Sequence, residues 1–499
     1  MSRNPRRVGV LATVIVTLLI LAMIAATGFV IWLCMDMVNR EPEITVPQNT
    51  SLALPTETTT VTEPTETVAP TTEPPQPEQV VAPATISAQG DLLMHKPVFD
   101  TCRMSDGSYD FSSIFRYLKD YTSYFDYALA NLETTFGGDD FVYQGNPEFN
   151  CPDELADAVV DAGYDMLLTA NNHAADTLAV GITRTLEQVR SKGLATLGTQ
   201  LNDEEPKYEV VDVNGIKIGM VCYTYAYSYN GSAFSLNGLA PIKDEGQVNF
   251  FMNNNPDALY EKAEQHMADM KAEGAEATMF FIHWGVEYQT TENALQNKIA
   301  QQLCAIGYDV IVGGHPHVVQ PMELLESTVD PSHKTVCIYS LGNAVSNQRT
   351  GYSSLFPAGY TEDGVMLTVT FEKYSDGSVY LTATDAIPTW VNMHTTDNVK
   401  EYNILPLDDS RTEEWREIFD LNDNTLGFAT KSYDRTMGII GEGLEQCQTW
   451  LEEYKAQIEQ YYYDLAFFPE KYAETAVETT PEITAETISE TTAVTEAAA

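Results

Sequence analysis

Five short polar runs stand out along the middle of the chain, each directly after an apolar stretch. They are Gly90-Asp91 with His95, Asn131-Leu132-Glu133, Asn171-Asn172-His173 with Asp176, His283-Trp284-Gly285, and Gly313-Gly314-His315-Pro316-His317. Five of the eight histidines fall in these runs, while His266, His333 and His394 lie elsewhere and read as surface or packing residues. Taken singly the runs carry little, because a Gly-Asp turn is common and a lone histidine after a strand is ordinarily a satisfied polar group. As an ordered set they hold the donors that a binuclear metal centre needs. Two divalent cations about 4 Å apart repel strongly, so a carboxylate must bridge or flank them. Neutral imidazoles and an Asn carbonyl then complete the shells without adding charge. A mixed Asp/Glu/Asn/His set suits Zn, Mn or Fe better than calcium or magnesium.

Open α/β sheets collect ligands beyond the carboxyl ends of their strands, and the pattern around the five runs supplies such ends. ATISAQGD, DYALANLE, MLLTANN, ATMFFIHWG and YDVIVGGHPH each read as a strand running into polar residues. Helical spacing occupies FSSIFRYLKDY, DELADAVVDAG, TLAVGITRTLEQVRSKG, about 256–273, and ENALQNKIAQQLCAIG. YEVVDVNGIKIGMVCY alternates on both sides of Asn214-Gly215, a hairpin signal. TVCIYSLGN is a further strand, and GVMLTVTFEK pairs with SVYLTATDA across Ser375-Asp376-Gly377. The fold class is therefore α/β, with antiparallel hairpins added to repeated strand–loop–helix units. Beyond about 405 the spacing predicts two helices, roughly 411–421 and 443–465. The second carries Trp450, Tyr454, Tyr461, Tyr462 and Tyr463, read as packing residues.

The 499 residues bear a formal charge of −45, which excludes a nucleic-acid partner, since phosphate binding needs a basic face. Residues 41–83 hold seven Glu and residues 474–499 hold six, with no Lys or Arg in either. Both segments lack the apolar content to repay ordering and read as disordered, the first as a stalk and the second as a tail. Residues 1–40 contribute +3, so −35 remains on residues 84–473. Residues 8–35 carry no charge and are long enough, at about 1.5 Å per residue, to span a bilayer as a helix. Arg3, Arg6 and Arg7 precede this segment and acidic sequence follows it. It therefore reads as an uncleaved signal anchor of a single-pass cell-membrane protein whose C-terminal domain is extracellular. A cleaved signal peptide is the alternative, kept open by Ala22, Ala25 and Ala26, although its apolar region ordinarily runs about 7–15 residues. Cys34 falls in the span, and the other six cysteines show neither a disulfide framework nor zinc-knuckle spacing, so they read as buried free thiols. The expected organisation is a cytoplasmic tip and anchor (1–40), the stalk (41–83), an α/β domain (84–400), a helical extension (401–472) and the tail (473–499).

The motifs GDLLMH, NLETTF, NNHAAD, HWGVEY, GGHPHVVQPME and YSLGN, in that order over about 84–345, resemble the CapA family of bacterial capsule and poly-γ-glutamate biosynthesis proteins. That family is related to the calcineurin-like metallophosphoesterases. The resemblance implies a sandwich of two mixed β-sheets flanked by helices, holding two divalent metal ions. It implies Asp91 and His317 as ligands of the first metal, Glu133 as the bridge, Asn172 as the Asn ligand, and His283 and His315 as ligands of the second. His173 would protonate the leaving group, with Asp176 orienting its ring. Leu93 stands where the related enzymes have a histidine, and His95 replaces that ligand if the loop turns back. Glu133 stands where they have an aspartate. The implied chemistry is hydrolysis of a phosphoester, or of an amide by the same Lewis-acid logic, in making, exporting or anchoring an anionic polymer. The implied partners are the bacterial membrane, polymer synthase or export subunits, and an anionic polymer or phosphoester substrate. A non-enzymatic scaffold in such a complex is the alternative. The acidic domain weighs against electrostatic capture of a polyanion, since like charges repel.

Overall fold

A computed structural model describes residues 83–229, 233–238, 245–396 and 399–468. The expected membrane segment, the stalk up to residue 82 and the acidic tail lie outside them. Among the described residues no helix is long and apolar enough to cross a membrane.

Among the described residues, sixteen strands form two mixed sheets. In chain order they are β1 (Ala84–Leu92), β2 (Tyr127–Asn131), β3 (Met166–Leu168), β4 (Ala195–Leu197), β5 (Tyr208–Val213), β6 (Ile216–Tyr229), β7 (Ala233–Ser235) and β8 (Phe250–Met252). There follow β9 (Ala277–His283), β10 (Val310–Gly314), β11 (Val319–Glu326), β12 (Lys334–Leu341), β13 (Asn343–Val345), β14 (Asp363–Lys373), β15 (Val379–Thr396) and β16 (Val399–Pro406). The first sheet runs β16-β15-β14-β1-β2-β3-β4, with β13 also on β1, and the second runs β11-β12-β10-β9-β6-β5, with β7 and β8 on β6. Strands β1 to β4 are mutually parallel, as are β6, β9, β10 and β12.

Alternation decides which face each side chain serves. Ile86, Ala88, Met220, Cys222, Met279 and Phe281 point into one core between the two sheets. Ala128 and Ala130 point outward to a second core under helices Lys96–Thr101 and Glu154–Asp161. Val221, Tyr223, Phe280 and Ile282 point to a third, under helices Asp257–Ala272 and Ala294–Ile306. Burial on both faces explains why the parallel strands read as continuous apolar runs. The sandwich of two mixed sheets flanked by helices is thus present. The Asn214-Gly215 hairpin is also present, with positive φ at both residues as a type I′ turn requires. The six described cysteines are free and buried, as expected.

The C-terminal region departs from expectation. The boundary at 400 falls inside β16, which pairs with β15 from Thr396–Val399 to Thr389–Pro406, so the sheet continues to Pro406. Residues 409–418 form short helical turns, and a single 45-residue helix, Asp423–Phe467, replaces the one expected over 443–465. Its first half is rich in Gly, Ser and Thr, which are poor helix formers. Packing overrides propensity there: Ala429, Ser432, Thr436 and Ile440 form a buried stripe. A Cβ at Gly443 would lie 1.9 Å from the Met322 carbonyl oxygen, so glycine lets the helix lie directly on β11. Of its aromatics, Tyr462 stacks on Tyr374 and Tyr454 packs against Tyr380, whereas Tyr461 and Tyr463 are exposed.

Arg435 ties this helix to the sheet through two 2.7 Å bonds to the Asp363 carboxylate, which Ser432 also contacts at 2.6 Å. Arg435→Ala leaves that buried carboxylate without its cation and is expected to cost about 3 kcal/mol or more in urea denaturation. A change within about 0.5 kcal/mol would show that solvent replaces the guanidinium.

His266 lies in the third core with Nε2 2.8 Å from the Tyr223 hydroxyl. Burial, seconded by Lys262 and Lys207 and opposed by Asp269, lowers its pKa to about 4. Because the folded value lies below 6.5, the unfolded chain takes up the proton first, and stability falls as pH drops from 6.5 towards 4. One proton corresponds to about 1.4 kcal/mol per pH unit. His266→Gln is expected to flatten the stability–pH curve by up to that slope within this window; parallel curves for mutant and wild type would contradict it.

Candidate metal centre

The site forms where the carboxyl ends of parallel strands from both sheets meet. β1 contributes Asp91, the residues just after β2 contribute Glu133, and the turn after β3 contributes Asn171, Asn172 and His173. From the other sheet, β9 ends at His283 and β10 leads into His315 and His317. Register holds the parts level: Asp91 is opposite both Asn131 and Asn343, and Gly314 is opposite His283. Gly90 allows this closeness, since a Cβ there would sit 2.0 Å from the Gly342 carbonyl oxygen. His315 and His317 both adopt positive φ, +96° and +56°. That conformation costs a non-glycine residue of order 1–3 kcal/mol and is held by its surroundings. It turns two imidazoles, two positions apart in the chain, into the same buried space.

Two groups of potential ligands result, Glu133 with His283 and His315, and Asp91 with Glu133 and His317, each with its donor atoms within 4.8 Å of one another. Glu133 belongs to both and lies between them. His283 Nε2 is 3.4 Å from Glu133 Oε1 and 2.7 Å from Asn172 Oδ1. His317 Nδ1 is 3.1 Å from Asp91 Oδ2 and 3.2 Å from Asn343 Oδ1, while its Nε2 is 3.8 Å from Glu133 Oε1. Asn131 Nδ2 donates to Asp91 Oδ1 at 2.7 Å, and Asn171 Nδ2 braces Asn131 Oδ1 at 3.1 Å.

Among the described residues, both Glu133 oxygens and His315 Nδ1 are buried without a hydrogen-bond partner. Buried polar atoms are ordinarily paired, and an uncompensated carboxylate is the most costly exception. Burial and the charge of Asp91 push the Glu133 carboxyl well above its usual range. Burial also acts on Asp91, but hydrogen bonding and charge from His317, with help from His283 and Asn131, bring it below its ordinary value. Burial, with neighbouring imidazoles, lowers His283 to about 3 and His315 well below 6.5, keeping them neutral. Neutral imidazoles around an unpaired carboxylate form a donor set that fits divalent cations.

His173 stands beside this space rather than in either group. Its Nδ1 is 2.7 Å from Asp176 Oδ2, and Asp176 also accepts from the Phe149 amide and from Asn237. Burial raises the Asp176 pKa, opposed by His173. His95 enters neither group. It occupies the cap of helix Lys96–Thr101, with Nδ1 3.2 Å from the Leu93 carbonyl oxygen and 3.3 Å from the Asn347 amide. His95 is nonetheless close to the site: burial, with the charges of His317 and His173, lowers its pKa to about 3, and it joins neither ligand group.

Several contributors were not singled out from the sequence. Asn343 accepts from or faces His317 Nδ1 and donates to the His317 carbonyl oxygen, and its place in YSLGN was the available signal. Tyr225 packs edge-on against His315 at 4.7 Å and lies parallel to His283, as strand alternation from Tyr223 would have indicated. Phe149 separates His95 from His173 and comes from an irregular segment with no periodic signal.

Comparison with known proteins agrees with the motif pattern. The model of the bacterial capsule synthesis protein PGA_cap matches residues 85–348, just over half of the chain. The capsule biosynthesis protein CapA of Bacillus anthracis is 28% identical over 291 residues, 57% of this chain and 65% of that protein, so the match spans slightly under two thirds of that relative. The PGA biosynthesis protein CapA of Bacillus subtilis (strain 168) is 26% identical over 323 residues, 63% of this chain and 75% of that protein. The solved NAD nucleotidase of Haemophilus influenzae aligns over 71% of this chain and 60% of its own at 13% identity, with a TM-score of 0.37, too low to bear on fold or function. On the family match, the chain belongs to the bacterial capsule synthesis proteins of the PGA_cap family.

Proposed function

We propose that the described domain is a binuclear metal-dependent hydrolase of phosphoester bonds. It would serve capsule or poly-γ-glutamate biosynthesis or export from the outer side of a membrane to which residues 8–35 anchor it. The observation that carries this reading is Glu133: a fully buried carboxyl group, both oxygens unpaired among the described residues, shared between two ligand groups.

Glu133, His283 and His315 would hold one cation, with Asn172 Oδ1 beside His283. Asp91, Glu133 and His317 would hold the other. Two divalent ions there, Mn, Zn or Fe, supply Lewis acidity and a water acidic enough to ionise near neutral pH. The protein's own part is to orient and to move protons. Asn131 and Asn343 fix Asp91 and His317, so neither has to reorganise on binding. Asp176 holds Nδ1 of His173, leaving Nε2 to carry a proton to the leaving oxygen, and its carboxylate stabilises the imidazolium that does so.

The test is an aryl phosphoester assay on protein reconstituted with manganese or zinc. Wild type is expected to turn over and His315→Ala to lose turnover together with bound metal. No turnover on any phosphoester, with normal polymer production by the mutant, would favour the non-enzymatic scaffold within a membrane complex.

A further inference from the structure

The loops that surround the site are unusual for a phosphate-handling centre in what they lack. Across residues 92–95, 132–153, 169–177, 284–293, 315–318 and 342–362, the only lysine or arginine among the described residues is Arg349. Arg349 is buried and committed, with one guanidinium nitrogen 2.9 Å from Glu362 and another on the Val391 carbonyl oxygen. Just outside these loops, Lys96 pairs with Asp100 at 2.6 Å and Arg184 is bidentate on Asp153. The stretch 239–244, outside the described residues, contains one lysine, Lys243, followed by Asp244 and Glu245. Carboxylates, by contrast, are plentiful in the same loops, and exposed Glu287 stands just after β9 beside Tyr288, whose ring centroid is 6.2 Å from that of His317.

The remaining rim is aromatic and apolar. Tyr227 follows Tyr225 on the same face of β6, with ring centroids 5.3 Å apart, and is 48% exposed. Tyr288 lies against His317 and packs edge-on with Phe356 at 5.2 Å, near exposed Val286 in sequence. Such surfaces favour uncharged groups flanking the reacting phosphorus. The charge arithmetic agrees: two divalent cations set against Asp91 and Glu133 leave about two positive charges for nucleophile and substrate together. That suffices for a monoanion, whereas each further negative charge meets Glu287 with no lysine or arginine among the described residues of these loops left to offset it.

Resting on the hydrolase reading, we propose that this site selects a singly charged phosphodiester with uncharged flanking groups. It turns away phosphomonoesters and polyanions, poly-γ-glutamate included, and Glu287 sets much of that discrimination. The polymer of this pathway is then not the substrate of the cleft; a phosphodiester-linked carrier or precursor is.

The experiment uses the full metal-loaded protein at low and at physiological ionic strength. A bis-aryl phosphate is expected to exceed the aryl phosphate monoester in kcat/KM by about tenfold or more, in line with the size of electrostatic steering. Glu287→Lys narrows that ratio several-fold at low salt, Glu287→Gln falls between, and salt erases the difference. In parallel, calorimetric titration with poly-γ-glutamate at low salt gives no binding to wild type and measurable binding to Glu287→Lys. Equal or better use of the monoester, or tight binding of poly-γ-glutamate by wild type, overturns the proposal. If neither ester is hydrolysed the hydrolase reading fails instead, and the titration alone decides whether the mouth excludes polyanions.

Discussion

Glu133→Gln protein is expected to be more stable than wild type when both are chelated, and less stable when both are supplied with metal. The first half follows from burial. Both Glu133 oxygens are enclosed without a partner among the described residues, and burial and Asp91 push the carboxyl well above its usual range, so the metal-free fold must bear the cost of neutralising it. Neutral glutamine of the same shape removes that burden, a gain of about 1–3 kcal/mol. The second half follows from linkage. A ligand that binds only the folded state at a hundred times its Kd stabilises by about 2.7 kcal/mol. Without the shared carboxylate that contribution is largely lost. Turnover should fall by more than the roughly 10–100-fold typical of losing a group that merely supports a ligand. Thermal unfolding of the two proteins with and without chelator reads the reversal directly. The same rank order in both conditions would mean that Glu133 does not hold a cation.

His173→Ala should separate chemistry from metal binding. His173 belongs to neither ligand group, and its Nδ1 is taken by Asp176. Removing a general acid ordinarily costs about 10²–10⁴ in rate. The expected result is a loss of kcat in that range with metal content unchanged from wild type. The loss should shrink for an ester whose leaving group is acidic enough to depart unprotonated. Parallel loss of metal and rate would place His173 in the metal shell instead.

How much of this could be read from residues alone varied with the physics that controlled each part. The parallel strands were legible because burial on both faces makes them short apolar runs, and each run ends abruptly where the chain reaches the site. That end effect is also why Asp91, Glu133, Asn172, His283, His315 and His317 could be named in advance. The short and edge strands were not legible. β4, β7, β8 and β13 have three residues each, and β11 contains Pro321 with Glu323 and Glu326 on no period-2 pattern, so nothing distinguishes them from loops. β16 and the first half of helix Asp423–Phe467 are set by their partners, β15 and β11, rather than by their own propensities. His95 belongs to neither ligand group, and its position is fixed by helix initiation at Lys96-Pro97, which spacing along the chain does not encode. Asn343 and Tyr225 act by touching ligands, a property of register that spacing does not encode.

The central claim is two cations flanking one carboxylate, and anomalous diffraction from manganese- or zinc-reconstituted crystals tests it most directly. A binuclear centre predicts two anomalous peaks on either side of Glu133, one against His283 and His315 and one against Asp91 and His317. No peak at Glu133, with less than one equivalent of metal retained by the reconstituted protein, would contradict it.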